Sequence, residues 1–407
     1  MSSMLPVENR KRLPRSALSS LASRPLPDTV SRIGASFCLA CLPCFLWFPQ
    51  GAGARTQDSP VKAQQSPSST TPVSAVQTNA SSASAKDAAE PSEPLAPDPA
   101  LAPARLLLQQ GKLSEAEAAT RNFLLAHADS AEAHFLLGFI LFREIGEKWR
   151  EAGKAQEATL PYSDGSAIGS LAEFRDAKAR ESLAEFTAGA RYHAASAFDL
   201  KIVALDYLLL KHNMDADRWL TQSVQLNSRD AQAWYYLGRT KYSTGQFREA
   251  IEAFEECLKL EPRNVEAENN VGLSYEALRR PDEAIQAFEN AIAWQTESSA
   301  KNPEPFIELA HLYLNENQPE KAVPYLSQSI AISPNVSKAH EELGKAYALL
   351  HRLSEAQAEL EKAIELTPQA PNLHCLLAAV YSKQGLEEKA KAESDRCAAL
   401  SGTHSTS

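Results

Sequence analysis

Clusters of basic residues are missing from most of this chain of 407 residues. Lysine and arginine form no block beyond residue 32, and the formal net charge of the whole chain is −10. Nucleic-acid binding depends on a basic surface that neutralises phosphate groups. The sequence therefore excludes nucleic acid as the expected partner.

Motifs that carry catalysis or bind cofactors are also missing. The chain has no phosphate-binding G-x-x-x-x-G-K-[ST] loop, no H-E-x-x-H zinc helix, no G-x-S-x-G elbow and no strand-based dinucleotide motif. The segment "HEELG" begins like a zinc helix, but the residue four positions after His340 is Gly344. We therefore predict no catalytic residue, no metal site, no cofactor and no small-molecule substrate, and we expect the protein not to be an enzyme.

Cysteine is scarce, with six residues in two groups. The first three lie in the apolar run at residues 33–48 with no histidine nearby, which disfavours a metal site there. The others, Cys257, Cys375 and Cys397, cannot all pair with one another. Because Cys257 and Cys397 lie on the face predicted to be the inner one of their helices, we expect buried free thiols at both positions.

The apolar run at residues 33–48 is too short for a good membrane span. Its sixteen residues include Pro43, and a span needs about 20. Six basic residues precede the run and small residues follow it, an order typical of a secretory signal peptide. We predict a signal peptide over residues 1–54, cleaved after Ala54, and an exported protein that is periplasmic or secreted. An uncleaved anchor formed by residues 33–48 is the alternative, and the only expected membrane contact.

Residues 55–96 contain almost no large apolar side chains and are rich in serine, alanine and proline. Such a segment cannot bury enough surface to offset the entropy lost on ordering. We predict a disordered linker between the signal peptide and the folded part.

Small residues recur at a fixed interval beyond the linker. In one series four steps are 34 residues and one is 38, the extra four falling within "TESSAKNPEP". The members of that series are Ala216, Ala250, Ala284, Ala322, Ala356 and Ala390. A second series has the same steps and consists of Ala204, Gly238, Gly272, Ala310, Gly344 and Ala378. Self-similarity at such a period indicates a repeat architecture.

Each period has room for two helices. Trp234, Leu237 and Gly238 recur at helical spacing, "STGQF" interrupts the pattern, and Ala250 and Phe254 then recur in the same way. We predict that Gly238 and Ala250 are small because two antiparallel helices touch there. Large side chains fill the space around that contact.

This unit resembles the tetratricopeptide repeat family, whose pattern is W..LG..Y...G.Y.EA...F..A....P. The matching residues are Trp234, Leu237, Gly238, Gly245, Phe247, Glu249, Ala250, Phe254 and Pro262. The resemblance covers residues 97–404. It implies an all-α, right-handed α-solenoid of about eight helical hairpins, and a concave groove that binds an extended segment or a helix of a protein partner.

Three histidines stand in other units at the repeat position equivalent to Trp234, which we call the Trp234 slot. They are His134, His340 and His374. We interpret all three as structural residues.

The second and last units depart from the pattern. We predict hairpins that begin near residues 97, 131, 197, 231, 265, 303, 337 and 371. An insertion at about 145–178 repeats "SLAEF", which indicates a duplication that lengthens the second helix, and we place the matching second helix at 182–192. The "LPYSDGSAIG" segment at 160–169 is a binding loop or, more often for such segments, a passive one. Ser394 replaces an earlier phenylalanine, which is typical of a polar cap.

The family resemblance implies that first-helix residues facing away from the hairpin partner line the groove. The candidates for partner binding are Tyr235, Arg239, Tyr242, Asn269, Asn270, Leu273, His311, Phe135 and Phe139. These positions grade from apolar near the N-terminal end to charged near the C-terminal end. Aromatic and arginine side chains are typical hot spots, and amides can bond a peptide backbone.

One binding mode of the family is not expected here. Members that bind C-terminal carboxylates of chaperones use an asparagine between pairs of basic residues, and Asn270 matches that asparagine. Glu304 and Glu308 stand where two bases are needed and would repel a carboxylate. We therefore predict a non-enzymatic, exported scaffold that binds a protein or peptide in its groove. The alternative is a structural module that self-assembles as a homo-oligomer in an envelope complex.

Overall fold

The computed structural model describes residues 95–158, 165–296 and 301–403, in two compact units. Unit 1 ends at Ala194, and unit 2 begins at Ala195. The predicted signal peptide at 1–54, and all but the last two residues of the predicted linker at 55–96, lie outside the described residues. Both stay predictions.

Sixteen α-helices and no strand are present in the described residues, which confirms the all-α solenoid of helical hairpins. In unit 1 a short 3₁₀ helix, Pro99–Leu101, precedes α1 Ala102–Gln109, α2 Leu113–Ala126, α3 Ala131–Ala158 and α4 Gly165–Gly189. The helices of unit 2 are α5 Ala197–Leu209, α6 Asn213–Leu226, α7 Ala231–Ser243, α8 Phe247–Leu260, α9 Val265–Ala277, α10 Pro281–Trp294, α11 Glu304–Asn315, α12 Pro319–Ile332, α13 Ser337–Leu349, α14 Leu353–Leu366, α15 Pro371–Lys383 and α16 Glu387–Thr403. None of the described helices has the length and apolar character that a membrane crossing requires.

Consecutive helices in the described residues pair as eight hairpins, from α1 with α2 to α15 with α16. In unit 2 each second helix also packs against the first helix of the next hairpin. The first helices α7, α9, α11, α13 and α15 in addition contact one another in order along the chain. We call the side of unit 2 that these first helices share the inner face.

A glycine on the first helix meets a ring on the second at the closest point of a hairpin. A Cβ placed on Gly238 would lie 2.6 Å from Phe254 Cε1, and one placed on Gly272 would lie 2.5 Å from Phe288 Cε1. Both phenylalanine side chains are fully buried. The structure thus confirms that Gly238 is small because two helices touch there.

Each described turn between the two helices of a hairpin uses one residue in the left-handed conformation. Gly245 has φ 77° and follows α7, where the Gln246 N–H donates to the Lys241 carbonyl at 2.8 Å. This is the hydrogen bond that closes a helix with a Schellman motif. Arg279, with φ 60°, holds the same place after α9 although it has a Cβ. The turn is therefore set by the repeat even where glycine is replaced.

The Trp234 slot ties the first helix to the loop before it. Trp234 Nε1 donates to the Ser228 carbonyl at 3.0 Å, six residues earlier. In the same slot His340 Nε2 lies 2.9 Å from the Pro334 carbonyl oxygen, and its Nδ1 lies 2.6 Å from Glu359 Oε2. His134 and His374 make the equivalent two contacts. The structural interpretation of these histidines is confirmed.

The second hairpin differs from the sequence prediction. α3 has 28 residues and α4 has 25, so both helices are lengthened, and α4 begins at Gly165. The second helix predicted at 182–192 lies within α4 up to Gly189, and the lengthening of that helix was predicted. The extension of α3 was not predicted. Lys178 Nζ on α4 lies 2.7 Å from Glu144 of α3 and 3.2 Å from Glu117 of α2. The first part of the hypothetical binding loop at 160–169 lies outside the described residues.

A disulfide joins the last two helices. Cys375 on α15 and Cys397 on α16 are bonded, with 5.4 Å between their Cα atoms. The expectation of a free thiol at Cys397 was wrong, because α16 brings it against a residue that sequence reasoning had left unpaired. Cys257 is buried and free, as expected, and burial raises its pKa to about 12. α16 is otherwise mostly exposed, in keeping with a polar cap.

Candidate partner-binding face

Three candidates of the inner face lie together on α7. Tyr235, Arg239 and Tyr242 are each half-buried. The Arg239 guanidinium lies 5.8 Å from the centre of the Tyr235 ring, which itself lies 5.9 Å from the Phe254 ring. Because these positions are spaced by about one turn, their side chains share one side of the helix. The Tyr235 ring thus rests on the hairpin core while part of it reaches the surface.

Tyr242 is held in the same way one turn further along. Its ring lies edge-on to Phe247, with 5.3 Å between the ring centres. Burial, with the carboxylates of Glu276 and Glu308 beyond it, raises the pKa of its hydroxyl. The hydroxyl is therefore protonated at neutral pH and available as a donor. The three α7 side chains form an anchored amphipathic patch.

The two asparagines of α9 have different surroundings. Asn270 is half-buried, and its Nδ2 donates to the Glu266 carbonyl of its own helix at 2.7 Å. Asn269 is only 2% exposed, and its Oδ1 has no hydrogen-bond partner among the described residues. Leu273, one turn beyond, is half-buried against the core around Phe288. Of the two amides, Asn269 is the one with an unmet acceptor.

Glu276 continues the same side of α9. Its side chain is half-buried and makes no hydrogen bond or close ion pair with any described residue. Burial raises the pKa of this carboxyl, and the nearby carboxylate of Glu308 adds to the effect, while His311 and Lys338 oppose it. Burial likewise raises the pKa of Glu304. Burial thus disfavours the charged form of both carboxyls, and the nearby cations do not offset it.

Cations on α11 and α13 are already engaged. Lys338 Nζ lies 2.8 Å from Glu308 Oε1. His311 Nδ1 lies 3.4 Å from Glu342 Oε1 without the geometry of a hydrogen bond, and that carboxylate raises the pKa of the imidazole. Burial opposes the charge on Glu342, but His311 and Lys345 outweigh it and lower its pKa. The C-terminal half of the inner face is an ion-pair network with surplus carboxylates.

An open cavity of about 360 Å³ lies between α11, α13 and α15. Its walls are largely aliphatic, including Leu314, Ala348 and Leu376. His311 and Lys345 stand among the charged groups that line it. Sequence reasoning missed this cavity because it placed no candidate on α15, although Leu376 was a readable signal there.

The two candidate phenylalanines lie in unit 1 and are described with it. Phe135 is 8% exposed, and its ring stacks on Phe186 of α4 with 6.1 Å between the ring centres. Phe139 is half-buried, with the Arg143 guanidinium 5.8 Å from its ring centre. Packing within the second hairpin therefore accounts for Phe135. The structure brings the α7, α9 and α11 candidates onto one face of unit 2.

Family comparisons match repeats over much of the folded part. A model described as "Tetratricopeptide repeat" matches residues 101–161 and 235–303, and a second of that description matches 304–336. A model described as "TPR repeat" matches residues 350–385.

Curated relatives match parts of the chain at low identity. The "BBSome complex member BBS4 homolog" of Drosophila melanogaster is 26% identical over 167 residues, which are 38% of this chain and 33% of that protein. The "DnaJ homolog subfamily C member 7 homolog" of Schizosaccharomyces pombe is 24% identical over 178 residues, 40% of this chain and 37% of that protein. "Protein O-mannosyl-transferase TMTC3" of Mus musculus is 25% identical over 198 residues, 45% and 22% of the two chains. The match thus spans little more than a third of these relatives at most.

Solved repeat structures resemble part of the chain. The type IV pilus biogenesis factor PilW matches with a TM-score of 0.46 and 20% identity, covering 52% of this chain and 94% of that one. YrrB, titled "a TPR protein with an unusual peptide-binding site", matches with a TM-score of 0.38 and 22% identity, covering 46% and 93%. With repeat matches distributed between residues 101 and 385 and hairpins throughout both units, the chain belongs to the tetratricopeptide repeat family.

Proposed function

We propose that this repeat protein is a non-enzymatic, exported scaffold that holds an extended segment of a partner protein along the inner face of unit 2. Proteins of the family typically serve as protein-interaction scaffolds. The finer assignment rests on the patch formed by Tyr235, Arg239 and Tyr242.

The α7 patch has the properties of a binding hot spot. Its aromatic rings are anchored on Phe254 and Phe247, so little side-chain entropy is lost when a partner covers them. Tryptophan, tyrosine and arginine are enriched among the few residues that carry most of the binding energy at protein interfaces. The closest hairpin contact is made by Gly238 and Phe254, and the three side chains of the patch are only partly buried beside it.

Affinity capture from the native host tests this assignment. The full chain carrying Tyr235→Ala with Arg239→Glu is compared with wild type and with Arg248→Glu. Arg248→Glu is the control, because Arg248 is exposed on the second helix α8. The substitution makes the same charge reversal as Arg239→Glu, but away from the inner face. We expect the double variant alone to lose its partners while keeping the wild-type circular dichroism spectrum. Unchanged recovery of all partners by the folded double variant would contradict the inner-face assignment.

Export is supported by two independent features. The order of basic, apolar and small residues over 1–54 is typical of a signal peptide. The disulfide between Cys375 and Cys397 would persist in an oxidising compartment and be rare in the cytosol. A reporter active only outside the cytoplasm, fused after residue 60, should be active. An inactive reporter, with the fusion protein present in the cytoplasm, would refute export.

A further inference from the structure

We infer that the inner face selects a basic segment: an extended peptide whose lysine or arginine meets Glu276, with a neighbouring apolar side chain seated in the cavity between α11, α13 and α15. This inference rests on the proposed function, since it names the chemistry of the segment that the face would hold.

Two acceptors on α9 lack donors. Asn269 is almost fully buried, yet its Oδ1 has no partner among the described residues. Glu276 lies seven residues later, about two turns along the same side of the helix, and its half-buried carboxylate has no hydrogen bond or close ion pair. Buried polar groups are normally hydrogen-bonded, and those left unmet call for an explanation. The Asn269 oxygen is closed off from the surface, so a ligand that brings a positive charge would supply what the half-buried Glu276 carboxylate lacks.

The charge balance of the inner face also favours a positively charged ligand. Six glutamates lie on α9, α11 and α13 at or beside the groove positions, against three basic side chains on α7 and α13 and the imidazole of His311. The glutamates are Glu266, Glu276, Glu304, Glu308, Glu341 and Glu342. The bases of α13 are taken up, because Lys338 pairs with Glu308 and Lys345 lies 2.7 Å from Glu341. The face is therefore short of positive charge, and charge complementarity favours a basic partner.

A metal ion is a poorer fit than an organic cation. No group of three histidine, cysteine, aspartate or glutamate side chains within the described ranges is placed to hold a metal. An ammonium or guanidinium group needs no such cluster, since it donates several hydrogen bonds to separate oxygens. The carboxylate of Glu276, which acts on the nearby Tyr242, offers this type of environment.

The cavity adds an apolar requirement. At about 360 Å³ it has the volume of several water molecules, and its walls include Leu314, Ala348, Leu376 and Val380. His311 lines this cavity and also interacts electrostatically with Glu276. The apolar cavity and the acidic groove thus meet at one residue. A segment with basic and apolar side chains in close succession would engage both at once.

Fluorescence anisotropy with the full chain tests the inference. The probes are three labelled peptides of equal length that repeat Ser-Arg-Leu, Ser-Glu-Leu or Ser-Gln-Leu. We expect the arginine peptide to bind at least about tenfold more tightly than the glutamate peptide, and less tightly as salt is raised. Glu276→Gln should weaken arginine-peptide binding by about threefold to tenfold. Glu252→Gln is the control, because Glu252 is exposed on the second helix α8. This substitution removes the same charge as Glu276→Gln, but away from the inner face.

The possible outcomes separate this inference from the proposed function. Equal binding of the arginine and glutamate peptides, or no effect of Glu276→Gln, would overturn the preference for a basic segment. If the three peptides bound equally and Tyr235→Ala weakened all of them, the groove function would stand and only the preference would fall. If Tyr235→Ala changed none of them, or if none bound, both would fall. Sedimentation showing a dimer that the arginine peptide does not dissociate would assign the face to a second copy and overturn the inference.

Discussion

The contact between Gly238 and Phe254 offers a quantitative test of how each hairpin is built. A Cβ on Gly238 would lie 2.6, 2.7 and 2.9 Å from three ring atoms of Phe254. The ring is fully buried and has no route to solvent. Gly238→Ala must therefore move α7 and α8 apart or strain the ring.

Two opposing effects set the size of the change. Overpacking a core costs about 1–3 kcal/mol, whereas replacing glycine by alanine within a helix gains roughly 1 kcal/mol. We expect Gly238→Ala to lower the free energy of unfolding by about 1 kcal/mol, the difference between these ranges. Gly169→Ala on α4 is the control, because nothing lies within 4 Å of its added Cβ. That variant should be neutral or more stable by up to about 1 kcal/mol.

The chain itself contains the compensating pair. The positions of Gly238 and Phe254 hold Ala310 and Leu326 in a later hairpin, and both of those residues belong to one buried cluster. Phe254→Leu alone should cost about 1–2 kcal/mol for the lost ring. In the Gly238→Ala background it also removes the atoms that the new methyl group meets. The double variant should therefore be more stable than the two single changes added together, by about 1–2 kcal/mol.

Urea unfolding of the four proteins, followed by circular dichroism, provides the measurement. Both the midpoint and the slope are compared, because repeat arrays can unfold in more than one step. A change in the slope of the unfolding free energy against urea concentration would mark loss of cooperativity. The double-mutant cycle would then be repeated with a spectroscopic probe near α7. If the effects of Gly238→Ala and Phe254→Leu add to within about 0.5 kcal/mol, the two positions are not coupled and the size-matching explanation is refuted.

Three further predictions concern the turns, pH and the disulfide. Arg279→Gly should raise the free energy of unfolding by up to about 1 kcal/mol, because φ 60° is strained for a residue with a Cβ; a lower urea midpoint would contradict this. Glu342 raises the pKa of His311 above 6.5, so the folded state binds more protons than the unfolded state. The protonated His311 therefore contributes to the free energy of unfolding fully below pH 6.5, and this contribution is lost as pH rises through the raised pKa. The melting temperature of wild type should fall over that pH range, and that of His311→Gln should not fall for this reason. Cys397→Ser should cost about 3 kcal/mol, since the disulfide closes a separation of 22 residues; an unchanged melt of α16 under oxidising conditions would show that the bond adds nothing.

The hairpins were predictable because the same packing problem recurs every 34 residues. Gly238 and Gly272 each face a buried ring, so the period of small residues in the sequence reflects a repeated contact. The role of His340 was also readable, because it occupies the Trp234 slot and bonds the loop in the same manner. Local spacing is sufficient information for both features.

Features that depend on distances between separate helices were not predictable. The bond from Cys375 to Cys397 requires the two Cα atoms to approach to 5.4 Å, and spacing in the sequence does not fix that approach. Asn269 was predicted for the groove, but whether its oxygen finds a donor depends on the neighbouring hairpins. The extension of α3 was not predicted, because the duplication was assigned to the second helix alone. The inserted residues are themselves good helix formers, so they extend both α3 and α4.

Site-specific photo-crosslinking in the native host tests the central claim most directly. A photoreactive phenylalanine derivative replaces Tyr242 on the inner face in one protein and exposed Glu252 on α8 in another. Both substituted proteins are first checked for wild-type melting. We expect a protein partner to crosslink from position 242 and not from position 252. Partners captured equally from both positions, or only from position 252, would contradict binding along the inner face.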